Sequence, residues 1–105
     1  MTENNDNHVF VRPDIKVGDL YEDCAYLPLR CTEVEECEYG DTILGESLLD
    51  GTIRSCDIYH CGPRKLTEAE AQELVTLWKT GGERAVMLSR GWTEEGIDKF
   101  IAEWR

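Results

Sequence analysis

Asp50-Gly51 lies between two apolar, β-prone runs, Thr42 to Leu49 and Thr52 to His60, and this commits the middle of the chain to an antiparallel hairpin. A two-residue loop there needs positive φ at both turn positions, which Asp-Gly supplies. Such a loop pairs Leu49 with Thr52, Leu48 with Ile53 and Ile43 with Ile58, so that apolar residues meet across the ladder. It also sets Gly45 opposite Cys56, where a bulge or tight bend fits.

Strand signal spreads in both directions from this hairpin. Val9 to Arg12 is a short β-prone run closed by Pro13, and Ile15 and Val17 alternate with polar neighbours up to the Gly18-Asp19 turn. Leu20 to Cys24 reads as a strand, followed by a bend at Tyr26-Leu27-Pro28. Leu29 to Glu36 alternates with one slip of register at Thr32–Val34, and Glu38-Tyr39-Gly40-Asp41 is a turn. Gly62-Pro63 is expected to end the sheet.

The periodicity then changes. Thr67 and Glu70 form a capping box, with Leu66 placed to staple onto Ala71. Ala71, Leu74, Val75 and Trp78 make one helical stripe, and Gly81-Gly82 stops it. Glu83 to Arg90 is a second short helix. Thr93 caps a third, whose stripe is Ile97, Phe100, Ile101 and Trp104, with Trp92 placed to pack against Ile97. Short strands followed by short helices is an α+β pattern. The expected architecture is a small SH3-like antiparallel β-barrel followed by two or three short C-terminal helices. Residues 1–8 read as a flexible tail, 9–66 as the barrel-like part and 67–105 as a helical extension packing on it. Together they make one domain, as the length of 105 residues suggests.

Charge narrows the function. Residues 1–66 carry 14 acids and 6 bases (−8) and residues 67–105 carry 8 acids and 5 bases (−3), so neither half is a basic module within the total of −11. Direct attraction to nucleic acid or an anionic membrane is disfavoured. The N-terminus lacks a basic and apolar leader pattern, and no stretch approaches the roughly 18 apolar residues needed to span a bilayer. A soluble, cytoplasmic protein is expected, in a compartment where thiols stay reduced.

In that setting the five cysteines read as core residues, metal ligands or redox groups. Cys24 and Cys31 can face each other across the Pro28 bend, and Cys56 and Cys61 end the second hairpin strand with His60 beside them. Four thiolates, Cys24, Cys31, Cys56 and Cys61, suffice for a tetrahedral zinc site, although neither pair has C-x-x-C spacing. Simple packing is the competing reading, because cysteine is often buried as a small hydrophobe. Cys37, among Glu35, Glu36 and Glu38, sits in an anionic setting that disfavours its thiolate.

Catalytic patterns are weak. His8 falls in the tail, and strand alternation would turn His60 and Cys61 to opposite faces. Ser47, Ser55 and Ser89 lack a nucleophile-elbow context, and there is no phosphate-cradling loop. The chain is therefore read as a non-enzyme. Residues 85–104 have helix-turn-helix spacing, but Glu94, Glu95 and Asp98 stand where a DNA reader needs bases or amides. The unit is expected to pack as an αα-hairpin. Trp92, Phe100 and Trp104 are its candidate protein-binding residues, with burial in the core as the competing reading.

The combination GDLYEDCAYLPLRC, GESLLDGTIRSCDIYHCG and RKLT resembles a group of small bacterial proteins of unassigned function. The resemblance runs from Lys16 to Thr67. It implies a bacterial or phage-borne cytoplasmic protein in which Cys24, Cys56 and Cys61 act together. The expected function is a small non-enzymatic module that binds a protein partner. One alternative is a zinc-binding or thiol regulatory module. Another is an acidic mimic of nucleic acid that inhibits a basic nucleic-acid-binding protein, as a phage counter-defence protein does.

Overall fold

The strands lie in a meander whose last member returns to the first. A computed structural model describes residues 14–36, 38 and 40–104, the side chain of Trp104 excepted. The expected tail, the Val9–Arg12 strand, His8 and Cys37 lie outside the described residues. The elements are β1 (Leu20–Glu22), β2 (Pro28–Glu35), β3 (Thr42–Ser47), β4 (Ile53–Asp57), α1 (Ile58–Cys61), β5 (Arg64–Leu66), α2 (Glu68–Ser89) and α3 (Glu94–Trp104). The five strands form one sheet in the order β4-β3-β2-β1-β5, antiparallel throughout. This is the α+β class that the sequence suggests. The sheet is open: β4 and β5 stand at opposite edges instead of closing a barrel.

β2 bends where its alternation slips. Cys31 pairs with Gly45 and Glu33 with Leu44, leaving Thr32 as a bulge whose Oγ1 donates to the Leu44 carbonyl at 3.2 Å.

The hairpin register differs from the expectation. The Ser47 amide donates to the Thr52 carbonyl and the Gly51 amide to the Ser47 carbonyl, so the loop holds four residues, 48–51. The Asp50 carboxylate turns onto Thr52, accepting from its amide at 3.1 Å and its hydroxyl at 2.7 Å. Positive φ is needed only at Gly51 (φ 77). Ile43 therefore faces Cys56, and Gly45 faces Arg54. The shift is two residues, an even number, so each side chain keeps the sheet face it was expected to occupy.

Two further boundaries move. Ile15 is buried but Val17 is exposed, because Lys16–Asp19 is a turn and not the end of a strand. The strand expected to reach His60 stops at Asp57, whose carboxylate accepts from the Tyr59 and His60 amides and starts one helical turn, α1, closed by Gly62. Gly62-Pro63 does not end the sheet, since β5 follows and pairs Leu66 with Leu20.

The helices follow their local signals. The capping box is formed: the Glu70 amide donates to Thr67 Oγ1 at 3.1 Å and the Thr67 amide to Glu70 Oε1 at 2.8 Å. Gly82 (φ 70, ψ −164) takes a conformation essentially reserved for glycine and breaks α2 into two segments. Thr93 Oγ1 accepts the Gly96 amide at the start of α3.

Alternation along β1 divides the apolar residues into two cores. Tyr21 joins Ile15, Leu29, Cys31, Ile43, Cys56 and Ile58 on one face. Leu20 joins Leu66, Ala71, Leu74 and Val86 on the other, where α2 packs.

Candidate functional site

The β1–β2 loop, residues 23–27, is where the chemistry-bearing side chains meet. Asp23 is buried and organises it. Its Oδ1 accepts from the amides of Ala25 at 2.9 Å and Leu27 at 3.0 Å, and its Oδ2 accepts from Arg54 Nε at 3.0 Å. An Asx turn of this kind tolerates a left-handed residue downstream. Here that residue is Tyr26, at φ 64.

Tyr26 holds the helices. Its carbonyl accepts from Trp78 Nε1 at 2.7 Å, and its hydroxyl accepts from Trp92 Nε1 at 3.1 Å. Trp92 in turn meets Phe100 edge-on, with centroids 5.6 Å apart. The Arg90 guanidinium lies 6.0 Å from the centre of the Tyr26 ring. Arg90 also donates to both carboxylate oxygens of Glu22, through Nε at 3.1 Å and through Nη2, and Arg64 Nη2 adds a bond at 3.0 Å. Glu22 is only 5% exposed, so the two guanidiniums compensate a charge that burial alone would make costly. The Glu22 carboxylate, against the opposing effect of burial, raises the Arg90 pKa above its ordinary value. A groove of about 740 Å³ runs along α2 past Leu74, Leu77, Arg64, Ser89 and Arg90, and both arginines at its rim are turned onto Glu22.

The other end of the loop carries the thiols. Cys56 and Cys61 form a disulfide that brackets α1, with Cα atoms 5.9 Å apart. The Cys24 amide donates to Cys61 Sγ at 3.1 Å. His60 Nδ1 lies 3.1 Å from Asp57 Oδ2. His60, and next the Tyr59 amide, hold the Asp57 carboxyl below the ordinary carboxylate value. Cys24 is exposed, Cys61 half-buried and Cys56 buried.

Of the four cysteines considered as zinc ligands, Cys61 therefore meets Cys56 and the Cys24 backbone. Cys31 is buried beneath the sheet, its thiol donating to the Glu33 carbonyl at 3.6 Å, and burial raises its pKa. Among the described residues no group of three or more His, Cys, Asp or Glu side chains is placed to hold a metal ion. The bonded sulfurs of Cys56 and Cys61 carry no thiolate charge for one in this state. Of the three candidate docking residues, Trp92 and Phe100 are half-buried against each other, and the side chain of Trp104 lies outside the described residues. No described helix is long and apolar enough to cross a membrane.

Sequence reasoning missed Glu22, Asp23, Tyr26 and Arg90. Asp23 before a non-helical, non-strand stretch is an available Asx-turn signal. The left-handed Tyr26 has no signal of its own, because its conformation is imposed by the bonds to Asp23. No family model matches the chain, and no curated protein and no solved structure matches it either.

Proposed function

We propose that the protein is a small regulatory protein-binding module in which Cys56 and Cys61 form a redox-responsive pair and the C-terminal helices present the output face. The observation that carries this reading is the bond from the Cys24 amide to Cys61 Sγ, which joins the disulfide to the loop whose Tyr26 holds Trp78 and Trp92. Opening the disulfide frees α1 and alters the acceptor that Cys24 sees. Tyr26, two residues on, is the shared anchor of both helical segments.

In a reducing cytoplasm a disulfide between such closely spaced cysteines is a transient, signalling bond, not a framework. The output face is acidic. Arg84 of α2 pairs with Glu94 and Asp98, which leaves the exposed Glu95 and Glu103 of α3 beside Lys99, and with the chain's net charge of −11 this suits a basic protein partner. The SH3-like reading of the sheet is kept as part of the proposal. A meander in which one helical turn separates β4 from β5, with β5 returning beside β1 and β2 bulged, is compatible with such a barrel whose seam stays open.

The test is a redox titration in glutathione buffers from reducing to oxidising, quenched with acid and alkylated. The tryptic peptide 55–64 is expected to pass from two alkylated thiols to one internal disulfide within that range. A peptide that stays in one state throughout would remove the redox reading.

A further inference from the structure

We propose that Cys24 is the third thiol of a disulfide-exchange site, able to take Cys61 from Cys56. The inference rests on the redox reading of the Cys56–Cys61 pair and adds the residue that competes for it.

Three placements support it. The Cys24 amide nitrogen is 3.1 Å from Cys61 Sγ, and the Cys24 sulfur hangs two bonds from the adjoining Cα. Its approach therefore takes χ1 rotation among staggered wells together with a small shift of the loop. Cys24 is exposed and free, so its sulfur is not held by another bond. Cys61 is half-buried while Cys56 is only 6% exposed within the core, so an incoming thiolate reaches the Cys61 sulfur first.

The exchange is internal and balanced. The Cys24 thiolate attacks Cys61 Sγ, and the new sulfur–sulfur bond forms as the bond to Cys56 breaks. The electron pair leaves on the Cys56 sulfur, which takes up a proton equivalent to the one Cys24 lost. No external oxidant is needed. Once released, the Cys56 sulfur lies in the core beneath Tyr21, largely out of contact with solvent. Cys31 is excluded, since burial raises its pKa and its thiol is bonded to the Glu33 carbonyl. The Cys24–Cys61 bond would also pull the β1–β2 loop, and Tyr26 with it, toward α1.

Trypsin makes the states distinguishable, because Cys24 falls in peptide 17–30, Cys31 and Cys37 in 31–54, and Cys56 with Cys61 in 55–64. The experiment oxidises the full-length Cys56→Ser protein with oxidised glutathione, quenches with acid and maps disulfides by mass spectrometry. Glutathione first forms a mixed disulfide at Cys24 or Cys61, and the other thiol then displaces it, so peptide 17–30 linked to 55–64 is expected as the main product. Glutathione that persists on either cysteine with no linked peptide would overturn the proposal.

Cys56→Ala, which keeps an apolar side chain in the core, is run in parallel and checked by circular dichroism. Acid-quenched wild-type protein gives a readout free of any substitution. There the same linked peptide is expected as a minor species that disappears in Cys24→Ser, and its absence would also overturn the proposal. The wild-type titration of peptide 55–64 separates the two claims. If that peptide switches but no cross-link to 17–30 forms, only the role of Cys24 fails. If it never switches, the underlying redox reading fails.

Discussion

The two cores on either side of β1 are built from different materials. The core beneath Leu20 is aliphatic, and the aromatic N–H groups beside it are satisfied, Trp78 and Trp92 both donating to Tyr26. The core beneath Tyr21 holds two sulfurs, Cys31 and Cys56, and a buried Tyr21 hydroxyl that has no hydrogen-bond partner among the described residues. Burial raises the pKa of that hydroxyl far above its ordinary value, so it stays neutral. The first core fixes the helices. The second keeps two sulfurs and an unpaired hydroxyl under the sheet, and a buried hydroxyl without a bond weakens a core that an apolar ring would fill equally well. The β1–β2 loop joins the two.

The largest effect is expected where the helical core meets its charged rim. Glu22→Ala leaves Arg64 and Arg90 facing each other without their shared carboxylate, and should cost about 3 kcal/mol, most of it at the less exposed Arg90. Urea unfolding followed by tryptophan fluorescence measures it. A loss near zero would mean that the guanidiniums find water freely and that β1 is not pinned from this side.

In the other core the sharpest test is Gly45. A Cβ there would overlap the Tyr21 hydroxyl and lie 2.9 Å from Tyr21 Cζ, so Gly45→Ala should cost about 2 kcal/mol. Because the overlapped atom is the orphan hydroxyl, part of that cost should vanish in a Tyr21→Phe background. Tyr21→Phe by itself is expected to be neutral or to stabilise by up to about 1 kcal/mol, since it removes a buried polar group that makes no bond. A double-mutant cycle reads both values, and additive effects would show that the two residues do not touch as described.

A comparable but smaller loss is expected on the helical side. Trp92→Phe keeps the ring near Phe100 but deletes the bond to the Tyr26 hydroxyl, for about 1 kcal/mol by thermal or urea denaturation.

The smallest effect concerns α1. The folded Asp57 pKa is depressed, so its contribution is present above the ordinary carboxylate pKa and is lost as pH falls through the lower folded value. The protection of the Tyr59 and His60 amides, measured relative to their intrinsic exchange rate at each pH, should fall at acid pH in wild type, and this pH dependence should disappear in Asp57→Asn.

These differences mirror what was legible in the chain. The capping box, the Ala71/Leu74 stripe and the Gly82 break depend on residues three or four apart, and the structure follows them closely. The bulge at Thr32 was likewise visible as a break in alternation. The hairpin register was not, because it turns on the Asp50 carboxylate choosing Thr52 over a two-residue turn. α1 was hidden inside a β-prone run, Ile58-Tyr59, that Asp57 and Gly62 override from its two ends. As for the site, the cysteine-rich stretch pointed to Cys24, Cys56 and Cys61. The tie from that stretch to the helices runs through Tyr26, whose left-handed backbone depends on contacts that only the folded loop makes.

The central claim is that the Cys56–Cys61 bond is felt at Tyr26. Hydrogen exchange of the wild-type protein, fully oxidised and fully reduced, tests it most directly. The account expects faster exchange on reduction in residues 24–27 and in the Trp92–Phe100 region, as well as around α1. Faster exchange confined to residues 56–62, with the β1–β2 loop and α3 unchanged, would contradict it and leave the disulfide as a local staple.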